Sequence, residues 1–444
     1  MALSFGHSNV SDPRLSFAEL RIVCDYLCAV RNEIAIDLHA IKLGGLDPAR
    51  YGKFPRPSRW IRYFKNFPFI SRLLHGISLP VWYLLGPWLF RFQYKLLRVH
   101  WRAAGQFQFD EGGQVLAFST RSVDLVRPHN IHPTPRQWLE FPWLPLSNLP
   151  ADANVLPALA LLNELEIERS LTLAILAHRS LQKRQGMSEW GLQSFTAWRW
   201  FFARLAVDKL PGPLLSVEHF DRWAVLVDRS VCRPSGHWPK RHHIIMQHGS
   251  VNAEKAPQRL GICLPTRLSA VSHLHVYSPA DAAVFKADIL SPSCANSRLH
   301  ISFYRPCIML SDMSTTDGPP SILFVGHPFC ENAHCALLSA LCKKGNWQLF
   351  YKPHPANPAS KHIRDLPWTV VEGRSVFPRV DLLISYPSTM VSEYATHGIQ
   401  AVVHSINVSA EQLLDRLPEV FQLIKESHSS TASSLLREPS GPFL

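Results

Sequence analysis

Two stretches near the C-terminal end constrain the fold more than anything else in the chain: Trp347 to Pro355, WQLFYKPHP, and Asp381 to Gly398, DLLISYPSTMVSEYATHG. Each reads as a β-strand that stops at polar residues suited to holding a phosphate. Trp347 to Tyr351 is an aromatic and apolar run, and Pro353 and Pro355 end it and stiffen the loop that carries Lys352 and His354. Val380 to Ser385, with its Leu-Leu-Ile centre, reads as a buried-type strand. Pro387 can then open a helix whose formers run from Met390 to His397 and stop at Gly398. Ser388 and Thr389 stand at that helix start, where free backbone N–H groups favour an anion. If the two strands are parallel neighbours, their carboxyl ends share one crevice, which is where ligands bind in such sheets. Lys352, His354, Pro355, Ser388 and Thr389 are the predicted phosphate pocket. A solvated Lys or His and a Ser that merely caps would explain either motif alone; their order within one βα segment favours the pocket.

At 444 residues the chain is too long for one ordinary core and suits two domains of about 200 residues. Its 46% hydrophobic and 18% charged content argues against large-scale disorder. The nine cysteines are scattered, with no Cys-x-x-Cys pair, which favours reduced thiols in a cytoplasm and disfavours a zinc site. No basic stretch followed by an apolar one opens the chain, so no secretory signal is expected.

The net charge of +12 is concentrated. Arg50 to Arg102 contains eleven Lys and Arg, no Asp or Glu, and interleaved aromatics from Tyr51 to Trp101. That composition fits an interfacial segment on anionic lipid. A core element with a solvated basic edge is the plainer alternative, and binding to single-stranded nucleic acid is a less favoured one. Within it, Ile77 to Phe90 is uncharged but holds Pro80, Gly86 and Pro87, so a spanning helix is not expected.

Ser16 and Glu19 have capping-box spacing before a helical stretch that ends near Gly44. Asn154 to Gln185 and Leu192 to Asp208 also read as helical. Short apolar runs ending in polar loops then give the texture of a doubly wound sheet, with strands expected at Ala224–Val227, His243–Met246 and Leu274–Tyr277. Gln247, His248 and Gly249 follow the second of these, a place from which His248 could act as a base at the edge of a cleft. Glu218, His219 and Asp221 lie on another loop of the same sheet. Ser311 to Pro320 reads as a linker. Ser321 to Val325 opens a second sheet, with Gly326 and His327 at its end; glycine there would let backbone approach a ligand closely. Ser409 and Gln412 can cap a final amphipathic helix. No GxGxxG motif is present, which lowers a dinucleotide-oxidoreductase reading.

FVGHP, YKPHP and YPST followed by Glu393 resemble the C-terminal, donor-binding domain of GT-B glycosyltransferases. The resemblance points to the cell-envelope group that includes CDP-glycerol glycerophosphotransferases, bacterial sialyl- and polysialyltransferases and capsular Kdo transferases. It implies an α/β fold of two Rossmann-like domains, preceded by the helical, basic-aromatic region. The expected divisions are a membrane-surface region at 1–105, an acceptor-side domain at 106–310, a donor domain at 318–426 and a flexible tail at 427–444. By the same resemblance, His354 with Pro355 and Ser388 with Thr389 bind the phosphate of a cytidine nucleotide, Gly326 and His327 line the nucleotide and Glu393 bonds the ribose. The final helix would return to the first domain. His248 would supply the base, with Asp110 and Glu111 as alternatives, while Gln247, Gly249, Glu218 and Asp221 lie on the acceptor side.

A sugar transfer requires the acceptor hydroxyl to lose its proton and the departing phosphate to be neutralised. The sequence has no Asp-x-Asp pair for a metal, so Lys352 and His354 are assigned the second task and no metal or cofactor is expected. The implied activity is metal-independent, inverting transfer from a CMP- or CDP-linked sugar to an envelope or capsular polysaccharide or its lipid-linked acceptor. It would take place on the inner face of the cytoplasmic membrane. CDP-glycerol or a UDP-sugar is the alternative donor; the alternative of another class is a non-catalytic membrane- or nucleic-acid-binding protein. Oligomeric state is left open.

Overall fold

The computed structural model describes residues 16–57, 59–60, 63, 67–101, 109, 113–129, 137–146, 149, 152–232, 241–249, 251, 259–305, 308–313, 318–355, 357–373 and 376–435. Asp110, Glu111 and Gly112 lie outside these, as do Arg62, Lys65 and Arg102 of the basic segment. The fold is mixed α/β, built on two parallel sheets.

The first sheet contains β1 (Gln114–Leu116), β2 (Gln137–Glu140), β3 (Val155–Pro157), β4 (Pro213–Ser216), β5 (His242–Met246), β6 (Val271–Val276) and β7 (His300–Phe303). Its strand order is β3-β2-β1-β4-β5-β6-β7, every pairing parallel. β8 (Leu310–Ser311) pairs with β12 (Phe377–Pro378) in a small separate ribbon. The expected linker thus begins inside a strand. The second sheet contains β9 (Ser321–Val325), β10 (Gln348–Lys352), β11 (Thr369–Val370), β13 (Leu382–Ser385) and β14 (Gln400–Val403), in the parallel order β11-β10-β9-β13-β14. β10 and β13 are therefore parallel but not neighbours, because β9 lies between them, with Lys352 opposite Val325 and Ile384 opposite Phe324. That arrangement matters: each sheet reverses its strand order once, between β1 and β4 in the first and between β9 and β13 in the second.

The helical N-terminal region is not a domain of its own. The Phe17–Leu43 helix, with Ser16 and Glu19 forming the expected capping box, puts Tyr26, Leu27 and Val30 into the same core as Leu116, Leu173 and Leu274. Asn32 Nδ2 donates to the Phe220 and Thr266 carbonyls at 2.8 and 2.9 Å, and Glu33 pairs with buried Arg222 at 3.1 Å. Such bonds fix this helix to the first sheet.

Other expectations are corrected. Ala224–Val227 is not a strand but part of the Arg222–Val231 helix; this helix is buried on several sides, and its stretch from Trp223 to Val227 reads as a continuous apolar run. The strand before it is β4. Asn154–Gln185 begins with β3 and a short 3-10 turn, and its helix covers Glu164–Lys183. The expected tail is helical as far as Leu435, within the Leu417–Leu435 helix, whose Val420 and Ile424 pack in the core of the second sheet.

Pro68–Val99 forms one helix through Pro80 and Pro87, where the sequence pattern predicts no helix of spanning length. Pro87 has no N–H for the Tyr83 carbonyl, and the His178 ring fills that place, its Nε2 3.3 Å from the carbonyl oxygen. This helix is long and apolar enough to cross a membrane, and only 17% of its most apolar stretch is buried.

Candidate active site

A cavity of about 370 Å³ opens where the two lobes meet. The first lobe lines it with Arg121, His248 and Gly249; the second contributes Val325, Lys352, His354, Tyr386, Ser388, Thr389 and Glu393 among others. All follow or end strands at their carboxyl ends, and both points of strand-order reversal face it. This is where a doubly wound sheet presents ligand sites.

His248 follows β5 directly and is held on two sides. Its Nδ1–H donates to the Val217 carbonyl, and its backbone N–H donates to Nε2 of His219 at 2.8 Å. With the proton on Nδ1, Nε2 carries the lone pair. Burial lowers the His248 pKa, the Glu218 carboxylate opposes that shift, and the ring stays neutral at pH 7. The ring of His219 stands 4.1 Å away, and burial together with His248 keeps it neutral too.

Gln247 is buried and serves as scaffold. Its Nε2 donates to the Gly249 carbonyl at 2.9 Å and its Oε1 accepts from the Tyr277 N–H at 3.0 Å. Asp221 does not face the cavity either; it caps the Arg222–Val231 helix through the N–H groups of Trp223 and Ala224. Glu218 is buried beside His248 without lining the cavity.

The phosphate-binding assignment needs one revision. Lys352 is almost fully buried and donates to the Gly373 and Val376 carbonyls at 2.9 and 2.7 Å, with its ammonium 4.8 Å from the Phe377 ring centre. Desolvation lowers its pKa to about 8, against the pull of Glu393 and Glu372. Two of its three donors hold a loop, so it supplies background charge and not an open cation.

His354 lines the cavity as expected. Burial and then Arg121 lower its pKa to about 4, so at pH 7 it offers a neutral N–H. Ser388 precedes the Thr389–Ala395 helix, and its side chain makes no capping bond; its Oγ lies 3.1 Å from that of Ser385. At seven residues the helix has a weak dipole, and what it offers are the hydroxyls of Ser388 and Thr389 beside uncapped first-turn amides. Burial raises the Glu393 pKa to about 7, with Lys352 pulling the other way.

Gly326 and His327 stand outside the cavity lining. A Cβ on Gly326 would collide with the Tyr351 phenol, so packing alone demands this glycine. His327 sits behind the cavity wall, its ring 5.4 Å from those of both His354 and Tyr386.

Arg121 is the residue that the sequence reading missed. It opens the short helix after β1 and lines the cavity, half-buried. No carboxylate among the described residues lies within ion-pairing distance of it. Its charge is felt by His354, His248, His219 and Tyr386. A signal existed in FSTRS, a strand ending in hydroxyl and basic residues at a helix start, the same pattern as YPST.

Cys330, His334 and His404 form the one group of metal-ligand type found among the described residues, their ligand atoms within 4.8 Å of one another. All three are buried, none lines the cavity, and the two imidazoles already share a 2.9 Å hydrogen bond. Comparison with protein-family models, curated proteins and solved structures finds no match to this chain.

Proposed function

We propose that the chain is an inverting glycosyltransferase that needs no metal and moves a sugar from a cytidine nucleotide, CMP- or CDP-linked, to an envelope polysaccharide or its lipid-linked acceptor. One observation carries the reading: residues nominated separately from two distant sequence regions, His248 and Gly249 on one side and His354, Ser388, Thr389 and Glu393 on the other, line a single cavity. Its volume falls within the range of small-molecule sites.

The geometry supports the following chemistry. The acceptor hydroxyl gives its proton to Nε2 of His248 as its oxygen attacks the anomeric carbon, while the Glu218 carboxylate stabilises the imidazolium that forms. The bond from that carbon to the phosphate oxygen breaks, and the electron pair leaves with the phosphate. Arg121, the His354 N–H and the hydroxyls of Ser388 and Thr389 receive the growing charge, as preorganised donors do in a dry site. Glu393 bonds the ribose, and Lys352 adds positive potential from behind. With base and phosphate donors on opposite lobes, closure of the cleft completes the site. The basic segment attaches the enzyme peripherally to the inner face of the cytoplasmic membrane, where a lipid-linked acceptor is presented.

The test is turnover of a CMP- or CDP-linked sugar, read beside the rise in melting temperature that cytidine nucleotides produce. His248→Ala should lower turnover by roughly 10²- to 10⁴-fold and leave the nucleotide-induced rise intact. Unchanged turnover would remove His248 as the base; no thermal response to any cytidine nucleotide would remove the donor assignment.

A further inference from the structure

The Pro68–Val99 helix has two faces of different character. Its inner face, at Ser71, His75, Gly86, Phe90 and Leu97, is buried against the first lobe. Polar bonds lock this face along the helix. Ser71 Oγ donates to the Tyr51 carbonyl at 2.6 Å, His75 Nε2–H to that of Glu189 at 3.0 Å, and Trp82 Nε1–H to that of Gly191 at 3.1 Å. At Gly86 an added Cβ would stand 2.9 Å from the His178 ring. Near the far end, Arg98 pairs with Glu164 at 2.5 Å.

The outer face is the reverse. Fourteen large apolar side chains between Phe67 and Val99 are exposed, Leu84 at 74% and Trp88 at 66% among them. Leu73, Ile77, Val81, Leu84 and Trp88 follow helical spacing along one stripe. No charged residue occurs between Arg72 and Arg91, a distance of about 28.5 Å at the helical rise. Cations stand at both ends of this stripe, Arg72 at one and Arg91 and Lys95 at the other, and the Arg91 guanidinium lies 5.4 Å from the Trp88 ring centre.

We propose that this outer face enters one leaflet of an anionic bilayer, with the helix lying in the membrane plane and not across it. Continuous apolar exposure of this size marks an interaction surface, and basic ends with aromatic neighbours match a lipid headgroup layer. A helix locked to a folded lobe along its length cannot cross hydrocarbon without either carrying that lobe inside or abandoning its bonds. The inference deepens the membrane-surface part of the proposed function and stands apart from the transferase chemistry. Attachment is then hydrophobic as well as electrostatic, and it survives high salt.

Flotation with phosphatidylcholine–phosphatidylserine vesicles tests it, using the full chain and a Leu84→Glu/Trp88→Glu variant, both outside the catalytic cavity. The wild type should float at 0.1 M and at 1 M salt, and the variant should stay in the bottom fraction with its melting temperature and nucleotide response unchanged. A variant that floats like the wild type overturns the proposal. So does a wild-type dimer in light scattering that becomes a monomer in the variant while neither binds vesicles, because a second copy then covers the face. For depth, a fluorophore on Phe69→Cys, Leu84→Cys or Leu96→Cys, each read against the equally labelled parent, is exposed to lipid-borne quenchers. Equal, shallow quenching at the three positions supports the in-plane helix; a deep centre with shallow ends overturns it in favour of a span.

Discussion

The two strand-order reversals that face the cavity are built alike but furnished differently. Beside the one between β1 and β4 stand Arg121, after β1, with its charge unspent on any described carboxylate, and His248, after the neighbouring β5, whose lone pair is aimed by the Val217 carbonyl. Beside the one between β9 and β13 stand two hydroxyls, after β13, and, from the neighbouring β10, a neutral imidazole and a lysine already tied to its own loop. The lesson is a division of labour. In the proposed reaction, base and open positive charge come from the first lobe, and the second lobe, whose motifs are the more conspicuous in sequence, supplies hydrogen-bond donors and shape.

Arg121→Ala attacks the difference most strongly. Loss of a charge-assisted bond to phosphate should weaken CMP or CDP binding by about 10- to 100-fold, equivalent to roughly 1.5–3 kcal/mol. Lys352→Met should cost much less affinity and show itself mainly as a lower melting temperature, since its donors hold the Gly373 and Val376 carbonyls. Calorimetric titration of both variants orders the two effects; the reverse order would return the phosphate contact to Lys352.

A smaller effect concerns stability. Glu393 titrates at about 7 in the fold against 4.5 as a free side chain, so between those values the folded state holds more of its proton than the unfolded state does. Folding stability due to this group therefore falls as pH rises from 4.5 to 7, and the cost is complete above that. Glu393→Gln should be neutral near pH 4 and more stable than the wild type at pH 8 by roughly 1–3 kcal/mol, part being offset because Lys352 loses a counter-charge. His354 has the opposite slope, its depressed pKa contributing stability above 6.5 that is lost as pH falls toward 4. Only the difference between mutant and wild-type melting curves isolates Glu393. No difference at pH 8 would remove the buried-carboxyl account.

The second sheet was readable because its strands are short, apolar and stopped by proline or glycine. Ser321–Val325, the run into Lys352 and Leu382–Ser385 stand where the sequence reading placed them. What the reading could not see was order: β9 falls between β10 and β13, a non-local pairing that no local pattern encodes. The first sheet was harder. β1, β2 and β3 have three or four residues each, too few for a period, and the fully buried Ala224–Val227 looks like a strand although Asp221 caps it as a helix. The prolines of the Pro68–Val99 helix misled for a related reason, because the residue that packs against the freed Tyr83 carbonyl, His178, is remote in sequence. Within the site, His248, His354, Ser388 and Thr389 carried local strand-end signals; Arg121 carried one too, in FSTRS, but becomes visible as their partner only once both lobes are in place.

A double-mutant cycle across the cleft tests the central claim most directly. CMP binding is measured in the wild type, Arg121→Ala, His354→Ala and the double variant. If one anion lies between the two lobes, each single change weakens binding and the double change costs less than their sum, by more than about 0.5 kcal/mol. Strict additivity, or undiminished binding in His354→Ala, would contradict it.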